Sequence, residues 1–148
     1  MGSNLGTVDL KQQFHERGYR YTEQRQAIAD FLWEHRNTHL TTDEVFRHMR
    51  EIDPDMGKST VHRTLHLLLE LGMVHRLEIG DGVTRYEACC HTSVSHNHHH
   101  LICEECGRVI DMEEDLLDEL ELKVEQQYAF SITNHTLQFY GRCSNCRN

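Results

Sequence analysis

Two Cys-x-x-Cys pairs, Cys103/Cys106 and Cys143/Cys146, sit in the last third of this 148-residue chain. The two-residue spacer lets both sulfurs of a pair face one ion, and two such pairs complete the tetrahedral shell of a structural zinc. Any fold of this region must bring the two pairs together. Disulfides are the competing reading, disfavoured where thiols stay reduced. Just ahead of the first pair runs His96-Asn97-His98-His99-His100. That is more imidazole than an ion holding four sulfurs can use, so a second metal is expected. Cys89 and Cys90 are adjacent and lack a partner motif, so they are read as incidental rather than as ligands.

The compartment follows from what the sequence does not contain. No run approaches the roughly 20 apolar residues of a membrane span. The N-terminus shows no charged start and apolar core of a secretory signal, and Gly6 breaks a myristoylation pattern. A cytoplasmic protein without a membrane partner is the expectation. Net charge is −9, which by itself argues against nucleic acid. Residues 1–85, however, carry 11 Lys/Arg against 13 Asp/Glu, whereas residues 86–148 carry 4 against 11. Most of the acidity belongs to the second half, and the first half can present a local basic face to phosphates.

Pattern reading gives an α+β chain. Helical spacing runs from Leu10 to Met49, with Thr22 as one N-cap and Thr41 or Thr42 as another. Asp53-Pro54-Asp55-Met56-Gly57 is turn chemistry. The segment Ser59 to Leu71 predicts an amphipathic helix with Val61, Leu65, Leu68 and Leu69 inward and Gly72 at its end. Val74–Ile79 and Val83–Tyr86 flank Gly80-Asp81-Gly82 as a β-hairpin. Helices followed by a hairpin describe a winged helix-turn-helix over residues 1–86. A connector, 87–97, leads to a small α/β domain over 98–148. There, short strands surround the first Cys pair, Glu114–Tyr128 reads as a helix with Leu116, Leu117, Leu120 and Val124 at core spacing, and Phe130–Tyr140 alternates like a strand. A domain this small needs the zinc as a staple, and a second copy of the chain would add core.

Several motifs together resemble those of Fur-family metalloregulators. They are Tyr19-Arg20-Tyr21-Thr22-x-Gln24-Arg25, Ser59-Thr60-Val61-x-Arg63-Thr64-Leu65, His98-x-His100-Leu101-Ile102-Cys103-x-x-Cys106-Gly107 and Thr133-Asn134-His135-x-Leu137-x-Phe139-Tyr140-Gly141. The likeness covers nearly the whole chain, from about Phe14 to Cys146. It implies a homodimeric, metal-dependent repressor of palindromic, A/T-rich operator DNA, with a C-terminal dimerisation domain. Iron(II) is the expected effector, and zinc-responsive and peroxide-sensing regulators of the same family are the alternatives. Relatives that sense peroxide tend to have Asp where this chain has Glu87.

In a winged helix the second helix of the motif enters the major groove. With its apolar residues inward, Ser59, Thr60, His62, Arg63 and His66 face outward, suited to phosphate and base-edge contact. Most relatives have Tyr at the position of His62. Arg20 resembles the family's minor-groove probe. The resemblance assigns the regulatory ion to His39, Glu87, His98 and His100, with Asp111 as a fifth ligand. In an extended segment, residues two apart share a face, so His98 and His100 can grip one ion while His99 points elsewhere. Three imidazoles and a carboxylate suit Fe2+, with Zn2+ or Mn2+ able to substitute. The resemblance further implies a third site from His99, Asp118 and His135, with His96 as a further ligand. A metalloenzyme is the distant alternative, since open His/Glu sites can activate water. No His-Glu-x-x-His motif is present, and no enzymatic activity is expected.

Overall fold

Side chains mark where the N-terminal helices begin. In the computed structural model, which describes residues 9–89, 99–112, 114 and 116–147, helix α1 (Leu10–Glu16) starts at Asp9. Its carboxylate accepts from the backbone N–H groups of Lys11 and Gln12. Thr22 caps α2 (Glu23–Glu34) by accepting from Arg25 N at 3.2 Å. Thr41 and Glu44 form a reciprocal capping box on α3 (Thr42–Ile52). Each cap satisfies donors that the helix itself leaves open. Helix α4 (Lys58–Glu70) follows Gly57 without a side-chain cap. At its far end Gly72 adopts φ +69°, which lets Met73 N–H reach the Leu68 carbonyl at 2.9 Å. A residue with a Cβ would be strained there.

Three strands complete this unit: β1 (Leu40–Thr41), β2 (Val74–Glu78) and β3 (Thr84–Ala88), all antiparallel in the order β1-β3-β2. Four helices and a hairpin sheet make the winged helix-turn-helix. Strand β1 has no sequence signature, because two residues cannot show an alternation. The core includes Phe14, Ile28, Val45, Met49, Val61 and Leu65, each fully buried. Met56, within the segment read only as a turn, is buried in it as well. On α4 the inward face takes Leu67, while Leu69 is only partly buried.

The chain divides into two compact units, Met1–His91 and Thr92–Asn148. The second contains β4 (His99–Cys103), β5 (Val109–Met112), α5 (Asp118–Tyr128) and β6 (Gln138–Gly141). Its sheet order is β5-β4-β6, with β5 antiparallel and β6 parallel to β4. Two expectations are corrected here. Helix α5 begins at Asp118, not Glu114, and the strand expected over Phe130–Tyr140 is confined to Gln138–Gly141. Ahead of β6 the backbone bonds locally instead: Ile132 N–H donates to Glu125 and His135 N–H to the Asn134 side chain. The core spacing on the helical segment does not become core within one chain. Leu116 is 62% exposed and Leu120 55%. No helix among the described residues is long and apolar enough to cross a membrane.

Candidate metal centres and DNA-reading surface

Cys103 ends β4, Cys106 lies in the turn that follows, and Cys143 and Cys146 lie in the turn after β6. Parallel pairing of β6 with β4 sets Cys103 opposite Gly141, so both turns open at the same end of the sheet. All four sulfurs lie within 4.8 Å of one another. Cys106 and Cys143 are 3.7 Å apart, far beyond a disulfide's ~2.05 Å. Four sulfurs at about 2.3 Å from a central ion would be separated by about 3.8 Å on tetrahedral geometry. The thiol set therefore fits a tetrahedral ion such as zinc.

The electrostatics point the same way. The backbone N–H of Cys143, then those of Cys106 and Glu105, aim at the Cys103 sulfur and hold its thiol down to about 6. The Cys146 thiol is pushed up to about 12, first by the neighbouring Cys143 and then by Cys106. One thiolate forms readily, but four in mutual contact need a cation to offset their repulsion.

A second cluster begins in the winged-helix unit. Strand β1 pairs Leu40 with Tyr86, so one step further along the register His39 meets Glu87. The side chains approach to 3.6 Å, His39 Nε2 to Glu87 Oε2. Glu87 is buried, at 6% exposure. A carboxylate taken out of water needs a positive partner or a dense set of donors. On its other flank, β2 sets His75 opposite Glu87. Sequence reading missed His75, whose only signal is the hairpin register.

In the second unit the same logic joins His100 to Asp111, which are register partners on β4 and β5 and lie 3.5 Å apart. His100 is 8% exposed. His98 and His96 fall outside the described residues, as does Cys90. Alternation turns His99 to the opposite face of β4. There its ring lies 5.2 Å from that of His135, which is ion-paired through Nδ1 with Glu121. The acid that meets His135 is thus Glu121 rather than Asp118. Asp118 is the exposed first residue of α5, and three residues later the helix presents its half-buried side.

On the winged-helix unit, Ser59, His62, Arg63 and Arg20 are exposed and Thr60 is half-buried. Arg20, Arg25, Thr60 and Arg63 border one polar depression between the start of α2 and α4. The wing is tied by Asp81, which accepts from Val83 N–H and, on both oxygens, from Arg85. The Arg85 guanidinium is the main reason the Asp81 carboxyl is held down to about 2.

The sequence model of the ferric uptake regulator family matches residues 16–140. The ferric uptake regulation protein of Bacillus subtilis (strain 168) is 42% identical over 137 residues, spanning 93% of this chain and 91% of that protein. The peroxide-responsive repressor PerR of Staphylococcus saprophyticus is 34% identical over 153 residues, spanning 100% and 99%. Among solved structures, the Vibrio cholerae ferric uptake regulator (Fur) aligns with a TM-score of 0.72 at 27% identity, covering 91% of this chain and 100% of that one. With a four-thiol cluster, a carboxylate–imidazole pair and a winged helix-turn-helix, this chain belongs to the ferric uptake regulator family.

Proposed function

We propose that the protein is an iron(II)-dependent transcriptional repressor that binds palindromic A/T-rich operator DNA as a homodimer in the cytoplasm. The observation that carries this reading is the His39–Glu87 pair, half-buried on the imidazole side and buried on the carboxylate side. Glu87 lies on β3, one residue before that strand ends at Ala88. A metal-ligating pair at that position belongs to the DNA-binding unit yet adjoins the segment that leads to the other unit. His39 and Glu87, with His98, His100 and Asp111, would hold the regulatory ion. Bound there, the ion supplies a positive centre that ligands of both units share.

The residues themselves explain why sharing matters. A common cation would tie the Glu87 carboxylate to His98 and His100. Such an ion would restrict the recognition helices of a dimer to one separation. Moving such an equilibrium from 1:99 to 99:1 requires roughly 5.5 kcal/mol of differential affinity. Cys103, Cys106, Cys143 and Cys146 are assigned to a structural zinc that stays bound throughout. His99, Glu121 and His135 form a further candidate metal cluster.

DNA contact is assigned to Arg20, Ser59, Thr60, His62 and Arg63. Homodimerisation is supported by the apolar surface of the second unit, where Leu120, Leu122, Tyr128, Phe130 and Phe139 are all exposed. A monomer in water gains nothing by exposing these side chains, whereas a second copy would bury some of them.

Operator binding followed anaerobically at fixed salt, with Fe(II) and Mn(II) added in turn, tests the reading. His39→Ala and Glu87→Gln should abolish the metal-dependent rise in affinity while zinc in the cysteine cluster stays put. Unchanged operator binding in both variants would refute the switch. Loss of binding on peroxide treatment with Fe(II), and not with Mn(II), would move the protein to the peroxide-sensing branch.

A further inference from the structure

Helix α4 carries an outward stripe that the repressor reading leaves partly unused. His62, His66 and Glu70 follow one another at intervals of four residues, so they stack on one face a turn apart. All three are exposed. The rotation of the helix is fixed by Val61, Leu65 and Leu68 on the inner side, each no more than 1% exposed. The two imidazoles lie 4.5 Å apart between centroids, tilted by 48°. A His pair at this spacing on a rigid helix can hold one divalent transition ion, as in helical His-x-x-x-His motifs.

Glu70 brings negative charge to the same depression as the two rings, and Tyr19 Oη holds it in place by donating to Oε2 at 2.6 Å. Two guanidiniums also border that depression, their donors turned in part to backbone carbonyls, so the two imidazoles rather than the local charge would have to hold the ion. Arg63 donates from Nε to the Ser59 carbonyl at 3.2 Å, while Arg25 bonds the Arg20 carbonyl and lies over the Phe14 ring.

We propose that His62 and His66 form a surface site for a late first-row divalent ion, of the Ni(II), Cu(II) or Zn(II) class, whose occupation keeps α4 out of the DNA groove. The second half of that statement rests on the DNA-reading role given to α4 above. Imidazole ligands favour these ions, and the stability order sets Mn(II) and Fe(II) below them. A helix with its side chains is about 10–12 Å across, and the major groove is about 12 Å wide. An ion on the outward face with its remaining water ligands makes the helix too thick to seat. By linkage, DNA covering the pair weakens the ion by the same factor. One metal would hold the protein on its operator, and an excess of another would release it.

The test uses full-length protein with zinc in the cysteine cluster and saturating Mn(II). Ni(II) is then added by equilibrium dialysis to the parent and to His66→Gln. The parent should take up one more equivalent than the variant, with nickel-induced broadening of the His62 and His66 ring signals in NMR. Saturating nickel should weaken the parent's operator affinity about tenfold or more, and that of His66→Gln, against its own nickel-free value, by less than about twofold. Equal nickel counts, with no broadening, would overturn the site. A lost equivalent with the parent's operator affinity unmoved by nickel would overturn the exclusion. Failure of Mn(II)-dependent operator binding before any nickel is added would instead strike the repressor reading and leave the nickel count standing.

Discussion

The winged-helix unit and the cysteine unit solve the same problem by different means. In the first, α1 to α4 and the hairpin surround a closed apolar core, with Phe14, Ile28, Val45, Val61 and Leu65 fully buried. In the second, the buried apolar side chains among the described residues are Ile102 and Cys103, while eight large apolar side chains from Ile110 to Tyr140 stand exposed. A core built by one chain is paid for by hydrophobic burial alone. A unit with so little of it must draw stability from metal coordination and from a partner's surface. The comparison teaches which unit can stand on its own burial and which leans on what it binds.

The largest effect should come from removing the staple. Zinc binding to small domains is worth roughly 10–16 kcal/mol. Cys143→Ser, or chelation, should therefore strip amide-exchange protection from β4, β5 and β6 while α2 to α4 keep theirs. Protection lost together in both units would break the contrast. Next in size is a cavity in the closed core. Leu65→Ala should cost about 2–5 kcal/mol in denaturant unfolding of the winged-helix unit and leave one zinc per chain. Zinc loss in that variant would show that the units are not independent.

A smaller effect is expected on the open apolar face. Leu120→Glu should cost about 2 kcal/mol or more in self-association, shifting the protein toward monomer in sedimentation velocity without altering zinc content. A dimer unchanged at micromolar concentration would remove that face from the interface.

The gentlest probe is acid, and its sign differs in timing between the units. The Cys103 thiol lies below its ordinary 9.0, so its contribution is complete above that value and fades as pH falls through about 6. Protons then compete with zinc for the thiolates. Asp81, lowered from 3.8 by Arg85, contributes fully above 3.8 and loses its effect only as pH falls through about 2. Zinc release, read with a chromophoric chelator, should precede loss of the Val83 amide protection that marks the wing. The reverse order would contradict the assignment of stability to these groups.

Much of the winged-helix unit was legible because its signals are local. Thr22, Thr41 and Gly72 mark helix ends through bonds that span only a few residues, and Gly80-Asp81-Gly82 marks the hairpin. The cysteine cluster was legible for the same reason, since each chelating pair is set by its own spacer. Strand β1 was not, being two residues long and defined only by its partner β3. The start of α5 was placed four residues early because Leu116 and Leu117 continue the apolar spacing without joining the helix. Asp118 came from the family resemblance, whereas the acid beside His135 is Glu121, which only the packing of α5 reveals.

By itself the sequence determined the ligand types, the main helices and the hairpin, and the sign of charge in each half. Spacing, capping and composition act over a few residues and need no fold to be read. The tertiary structure decided which donors meet: His39 with Glu87 through the β1–β3 register, His100 with Asp111 through β4–β5, and His135 with Glu121 across a helix. Register is a non-local choice in which a slip of one residue turns every side chain to the other face. Two halves of a site far apart in the chain become neighbours only after that choice is made.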